Sequence, residues 1–483
     1  MSSSVGDSSF RPHTGQIRHL DAAQARQLVG LFEWPVVSDQ LGLAYDASDS
    51  LTEATKGELT IQPAGTHGHS AAVIGHYTTH LYLHELLRLP LSVARELKQH
   101  RGHLYLDKLV AVTDAVAEEL ATHTGGGLSL NNLRQLSVPS AWALGRHAGE
   151  LSLNRLRSLD ANAALGLAQN EYQLYLGSLG RLSPVAAAAL SQHRGDLFLE
   201  GLKELPGRVA AHLARHRGKL HVHGIAGLSD AVAEAFGRRQ GFLCLQGVEQ
   251  LTPVQAELLA SHKGPLLFHR LEVDDAVAAC LARHEGSLSV NVGNGITLLQ
   301  LELLVQHVGQ IVLVGLTTIN ERQARVLAAQ TNWHGVPGLS GLFLDDIKCI
   351  TPPVAAILAT HQAGGLSLKG LSELAEDTAR ELVGHPILCL DGVSSISDGV
   401  AKILGRYEGA TLSLKGLKKI SNSAISKLRD NPAIELPRWF YGAENLSPDR
   451  ASTALAEPPK LGPLETIRII EQIAGQGEQM LKN

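Results

Sequence analysis

Leucine recurs along this chain with two interleaved spacings. In Leu197–Gly218, LFLEGLKELPGRVAAHLARHRG, Leu197 and Leu199 lie two residues apart. In an extended segment both point to one face and Phe198 to the other. Leu202 and Leu205 continue the apolar side as the chain turns, and Ala210 with Leu213 then falls on one side of a helix. The block before it, from Leu174, reads LYLGSLGRLSPVAAAALSQHRG, and the block after it, from Leu220, reads LHVHGIAGLSDAVAEAFGRRQG. The shared phrase is L-x-L-x-x-L-x-x-L, then Ser, Thr, Asp or Pro, then x-x-x-A-x-x-L, then His-x-Gly. Its period of about 23 residues predicts strand, turn, helix, turn in every copy.

The punctuation agrees with that order. Thr113, Ser137, Asp160, Ser183, Ser229, Thr252, Thr351, Ser397 and Ser421 stand where a helix needs a side-chain acceptor for its first amides. Pro184, Pro253 and Pro352 follow directly, at the first helical position. Gly195, Gly218, Gly264, Gly286 and Gly309 close the helices, at positions suited to a left-handed backbone. One copy buries too few side chains to offset the entropy of ordering its own backbone, so the copies must stack. Alternation of strand with helix makes the sheet parallel. The expected fold is an α/β solenoid, a horseshoe or superhelix with strands on its concave face and helices on its convex face.

Strand starts read at 59, 81, 104, 128, 151, 174, 197, 220, 243, 266, 288, 311, 342, 366, 388, 412 and 434. Two copies depart from the period. LEVDDAVAAC at 271–280 has lost a turn residue, and the interval from Ile311 to Leu342 carries an insertion, TNWHGVPGLS at Thr331–Ser340. The insertion must leave the stack as a surface loop, where Trp333 and His334 are candidate contacts. Residues 1–58 read as a disordered start followed by a helical cap, with a helix over Ile17–Phe32. The repeats fill 59–436. Residues 437–463 read as an end cap with Trp439, Phe440 and Tyr441, followed by a linker with Pro448, Pro458, Pro459 and Pro463. Residues 464–483 form an amphipathic helix with Leu464, Ile467, Ile470 and Ile473 on one stripe, suited to docking on the repeats or to self-association.

Composition narrows the class. Hydrophobic residues make up 44% of the 483, aromatics only 4%, and glycine numbers 48, which suits thin identical layers rather than one bulky core. A net charge of −5 gives no general attraction to nucleic acid or to an acidic membrane. No apolar run is long enough to span a bilayer. MSSSVGDSSF has neither a basic nor an apolar leader region, so the expected location is cytoplasmic. Cys244, Cys280, Cys349 and Cys389 show no motif spacing and read as free thiols of a reducing compartment.

With these residues in view, the chain resembles leucine-rich repeats over 59–436. The segment L-x-x-L-S-x-x-x-A-x-x-L-A is similar to the second half of the bacterial cysteine-containing and GALA-type repeats, which carry a full helix. The family's asparagine after the strand is mostly replaced here by Gly201, Gly224, Gly247, Gly315, Gly370, Gly392 and Gly416. Asn131, Asn132 and Asn154 are the remnants, so a continuous asparagine ladder is not expected. The resemblance implies a non-enzymatic scaffold that recognises a protein. Alternative readings are a self-assembling structural protein and an exported module that recognises a surface glycan or peptide.

The residue between the strand leucines should face out on every copy and form a stripe of contacts. It reads Tyr82, Tyr105, Ser129, Ser152, Tyr175, Phe198, His221, Cys244, Leu267, Ser289, Val312, Phe343, Ser367, Cys389 and Ser413. The partner-binding candidates are Tyr82, Tyr105, Tyr175, Phe198, His221 and Cys244, with His223 and Gln246 beside them, because aromatics bordered by polar groups make contact hot spots. His100, His123, His147, His193, His216, His262, His284, His307 and His361 recur at one position, in the last helical turn. An even row suits carbonyl capping; a metal needs one convergent cluster. Cys389-Leu390-Asp391 matches the bare Cys-x-Asp of bacterial ubiquitin ligases that carry these repeats, but it lies within a repeat strand. No phosphate loop, zinc-protease helix or nucleophile elbow is present. No catalytic residue, metal or cofactor is assigned.

Overall fold

A computed structural model of the chain describes residues 80–83, 86–330, 341–437 and 440, together with Ala22 and Ala25. The readings for the N-terminal helix, the copy starting at 59, the linker and the helix at 464–481 lie outside the described residues. The chain divides into two compact units, Met1–Gly224 and Ile225–Asn483.

In the first unit seven two-residue strands, from Leu81–Tyr82 to Leu220–His221, run parallel. Their register places leucine against leucine throughout: Leu151 opposes Leu174, Leu174 opposes Leu197, and Leu197 opposes Leu220. Two residues of strand per coil suffice, because the next leucine amide also donates across the ladder, as Leu199 N does to His221 O at 2.8 Å. Leu174, Leu176, Leu179, Leu197, Leu199 and Leu202 have no exposed surface. Ala164, Ala187 and Ala210, also fully buried, let successive helices approach closely.

The second unit repeats the scheme in two runs. Leu243–Cys244, Leu266–Phe268, Leu288–Asn291 and Ile311–Val314 pair in parallel, and so do five strands from Gly341–Phe343 to Ile434–Glu435. The insertion at 331–340 falls between the two runs. Contact across it is kept at the turns and helices, where Lys348 N donates to Thr317 O at 2.9 Å and His361 Nδ1 lies 3.2 Å from Ala328 O. All sixteen described strands begin within one residue of the predicted starts.

Most predicted caps are made. Ser183 accepts from Ala186 N and Asp160 from Asn162 N and Ala163 N, while Thr252 forms a reciprocal box with Gln255. Ser229 and Thr351 stand at helix starts without a side-chain cap bond. The shortened copy starts its helix at Asp275, capped by Asp274. The glycines after the helices require correction. Of the five, only Gly264 has a left-handed φ, 135°. At Gly195 and Gly218 a Cβ would collide with the carbonyl oxygens of Tyr172 and Gly195 in the preceding coil. Glycine is needed there because two backbones touch. At the far end Phe440 is 3% exposed and its carbonyl accepts from the Arg429 guanidinium.

Candidate binding face

Each strand contributes one outward side chain, and ring-on-ring packing along the sheet decides how much of it reaches solvent. In the first unit the rings of Tyr175 and Phe198 stack at 4.2 Å, and Phe198 stacks on His221 at 4.1 Å. Tyr175 and Phe198 are half-buried, whereas His221 is 2% exposed. His223 Nδ1 lies 3.6 Å from a Glu200 carboxylate oxygen. A second stack joins Tyr82 to Tyr105 at 4.5 Å and Tyr105 to His103 at 4.1 Å, with His80 edge-on to all three. Burial and the neighbouring His80 lower the His103 pKa to about 4, so the His103 ring is uncharged at neutral pH.

In the second unit Cys244 and Leu267 have no exposed surface and pack with Phe242, against which Val312 rests. Gln246 is half-buried. The expectation that this position faces out on every copy therefore fails at His221, Cys244, Leu267 and at Ser129, Ser152, Ser289, Ser367 and Ser413. Neighbouring strands stand only about 4.8 Å apart, so a small side chain beside larger ones is overshadowed. Trp333 and His334 lie outside the described residues.

Between the aromatic stacks the first unit carries a polar ladder. Ser129 Oγ donates to Asp107 Oδ1 at 2.5 Å, and Asn131 N donates to the same oxygen at 3.2 Å. Ser152 Oγ and Asn154 N do the same to Asn131 Oδ1, at 2.7 and 3.1 Å, and Gly177 N reaches Asn154 Oδ1 at 2.9 Å. In the second unit Asp345 takes Ser367 Oγ and Lys369 N, and Asp391 takes Ser413 Oγ and Lys415 N. An asparagine ladder was not expected from the glycine-rich turns. A broken one exists, with aspartate in part of it, three residues after the predicted strand starts. The signal was available as an Asp or Asn at that offset followed one coil later by serine.

The recurrent histidines are structural, with a geometry different from the one predicted. Each lies buried inside its unit, and several reach a carbonyl of the preceding coil. His147 Nε2 donates to Gly126 O at 2.9 Å, and His307 Nε2 to Gly286 O at 2.8 Å. Coils without histidine keep the function. Asn170 Nδ2 donates to His147 O and Gly149 O, Asn431 Nδ2 to Gly405 O and Tyr407 O, and Gln330 Nε2 to Val305 O. Tyr407 Oη donates to His385 O at 2.9 Å and Thr411 O at 2.8 Å. These substitutes went unnoticed in the sequence, yet all stand three residues beyond the last leucine of the helix.

The four cysteines are free thiols. Cys389 Sγ lies 3.3 Å from Asp391 Oδ2, and burial together with that carboxylate pushes its pKa up to about 12. A catalytic thiol needs the opposite shift.

Parallel strands in leucine-on-leucine register, each followed by a short helix, define the leucine-rich-repeat fold. No family model and no curated protein matches the sequence. Among solved structures the chain aligns with a leucine-rich-repeat protein of Leptospira interrogans, 16% identical over 73% of this chain and 93% of that one, with a TM-score of 0.34. It also aligns with an internalin (inlF) of Listeria monocytogenes, 13% identical over 72% and 82% of the two chains, with a TM-score of 0.28. Against the Drosophila Toll–Spätzle complex the values are 12%, 66%, 54% and 0.28.

Proposed function

We propose that the chain is a non-catalytic scaffold that binds a protein partner through its strand face. The observation that carries this reading is the Tyr175–Phe198–His221 stack, whose first two rings keep solvent-facing edges while the leucines beneath them are sealed. Pre-ordered rings lose little entropy on binding, and aromatic anchors dominate contact energies. Glu200 and His223 at the margin supply polar contacts. The same reading assigns Trp333 and His334 to the partner contact. Among the described residues no helix is long and apolar enough to cross a membrane.

The test is to identify the partner by affinity capture with mass spectrometry and then to titrate it against variants. Tyr175→Ala and Phe198→Ala should each weaken binding by at least roughly tenfold, as expected for hot-spot rings. Tyr172→Ala, on an exposed side chain outside the stack, should bind as wild type. Unchanged affinity in the first two variants would remove the stack from the interface. A mass by light scattering that rises with concentration would favour self-assembly instead.

A further inference from the structure

Ten histidines stand three residues beyond the last leucine of a helix, all 0–2% exposed, and they form blocks. In the first unit His100, His123 and His147 stack with centroids 6.3 and 5.6 Å apart, and His193 stacks on His216 at 5.7 Å. In the second unit His262, His284 and His307 stack at 5.6 and 5.8 Å, and His361 and His385 at 6.2 Å. His262 Nδ1 and His284 Nε2 lie 3.3 Å apart, so one donates to the other and both cannot be protonated without breaking the contact. Along the chain the blocks are punctuated at the same position by Asn170, Arg239, Gln330 and Tyr407, none of which gains a proton between pH 7 and 4.

We propose that these buried imidazole stacks make the repeat coils an acid-responsive device, closed at neutral pH and parting block by block in mild acid. At His123, His147, His193, His262, His284, His307, His361 and His385 no carboxylate offsets the cost of charging the ring. His123 is faced by His100, His103 and His147; His262 by His284 and Arg239; His284 by His307; and His385 by His361. Burial is the largest influence on these rings and on His147, His193, His307 and His361, and backbone hydrogen bonds oppose it. Outside the row, His103 and His269 are also held down by burial, opposed by Asp107 and Asp346.

The direction follows from linkage. Burial lowers the folded-state pKa to about 3 at His262 and about 4 at His123 and His284, against an ordinary value of 6.5. Well above pH 6.5 both folded and unfolded rings are neutral. Below it the unfolded chain takes up protons that the folded chain refuses, so stability falls with pH until the folded values are reached. Carboxylates contribute mainly below about pH 5, which leaves the window above it to histidine.

Asn170 and Asn431 show what replaces a histidine here without titrating. The experiment is guanidinium denaturation of the full chain between pH 7.5 and 5, comparing wild type with the triple variant His262→Asn, His284→Asn and His307→Asn. At pH 5 removal of His262 and of His284 should each cut proton uptake on unfolding by about one, and removal of His307 should cut it further, so the triple variant should take up at least about two fewer. An equal pH slope in both proteins would overturn the proposal. Should the triple variant fail to fold, NMR titration of the wild-type rings decides. Rings that stay neutral until the fold opens support the device, and rings that titrate near pH 6.5 in an intact fold refute it.

Discussion

Asn170 holds His147 from the next coil: its Nδ2 donates to the His147 carbonyl at 2.8 Å and to that of Gly149 at 3.1 Å, from a side chain only 1% exposed. Its own Oδ1 accepts from Tyr172 N at 2.9 Å, so every polar group of the amide is engaged. The same place is filled by histidine in the coils on either side. A single structural task, tying a coil corner to the carbonyls of the one before, is thus met by several chemistries.

Asn170→Ala would leave two buried carbonyls and one amide without their partner. Each such group costs roughly 1–3 kcal/mol, so the variant should lose about 2–5 kcal/mol overall, whereas Asn170→His should lose much less. Hydrogen exchange of the His147–Gly149 amides, compared across the two variants, checks both the size and the place of the effect.

Tyr407→Phe removes only a hydroxyl, but one that joins His385 O to Thr411 O within a side chain 3% exposed. Destabilisation of about 1–3 kcal/mol is expected from the orphaned acceptors. A denaturation midpoint equal to wild type would mean that water replaces the hydroxyl.

Gly166→Ala should be destabilising although alanine is the better helix former by about 1 kcal/mol. Its Cβ would sit 2.8 Å from Trp142 N and 3.0 Å from Ala141 C, both backbone atoms of the neighbouring helix. Pushing those helices apart costs about 1–3 kcal/mol. Gly180→Ala is the control, since nothing lies within 4 Å of the added carbon. Thermal unfolding of the pair should separate them in sign or in magnitude.

Asp391→Asn should be tolerated and Asp391→Ala should not, because Asn131 already performs the same acceptor role in the first unit. The alanine variant strands Ser413 Oγ and Lys415 N, a loss of roughly 1–3 kcal/mol. Urea titration of both variants distinguishes lost acceptance from lost charge.

Native thiol labelling should mark Cys349 first. It is exposed, while Cys244 and Cys280 are buried and the Cys389 thiol is held well above the working pH. Equal labelling of Cys389 would contradict its burial and its contact with Asp391.

The coil pattern was readable because leucine is both the signal and the cause: the residue that repeats is the residue that is buried. Leu174, Leu197 and Leu220 lie on adjacent parallel strands, as their spacing required. Glycine was read wrongly at Gly195 and Gly218, since a left-handed turn and a backbone contact ask for the same residue. Exposure along the strand face was misjudged for a related reason. Whether Cys244 reaches solvent depends on Phe242 and Leu267 beside it, and no single repeat contains that information. The histidine row was visible, but its partners one coil away were not, because the donor and the carbonyl it seeks belong to different copies.

The glycine corners bear on how such a chain can change its length. At Gly195 and Gly218 one coil's backbone rests directly on the next, and even a methyl group finds no room. The spacing at that corner is fixed by main-chain atoms common to all residues. Growth by gradual thickening is therefore closed to the protein at that edge, and duplication of a complete turn is the route left open.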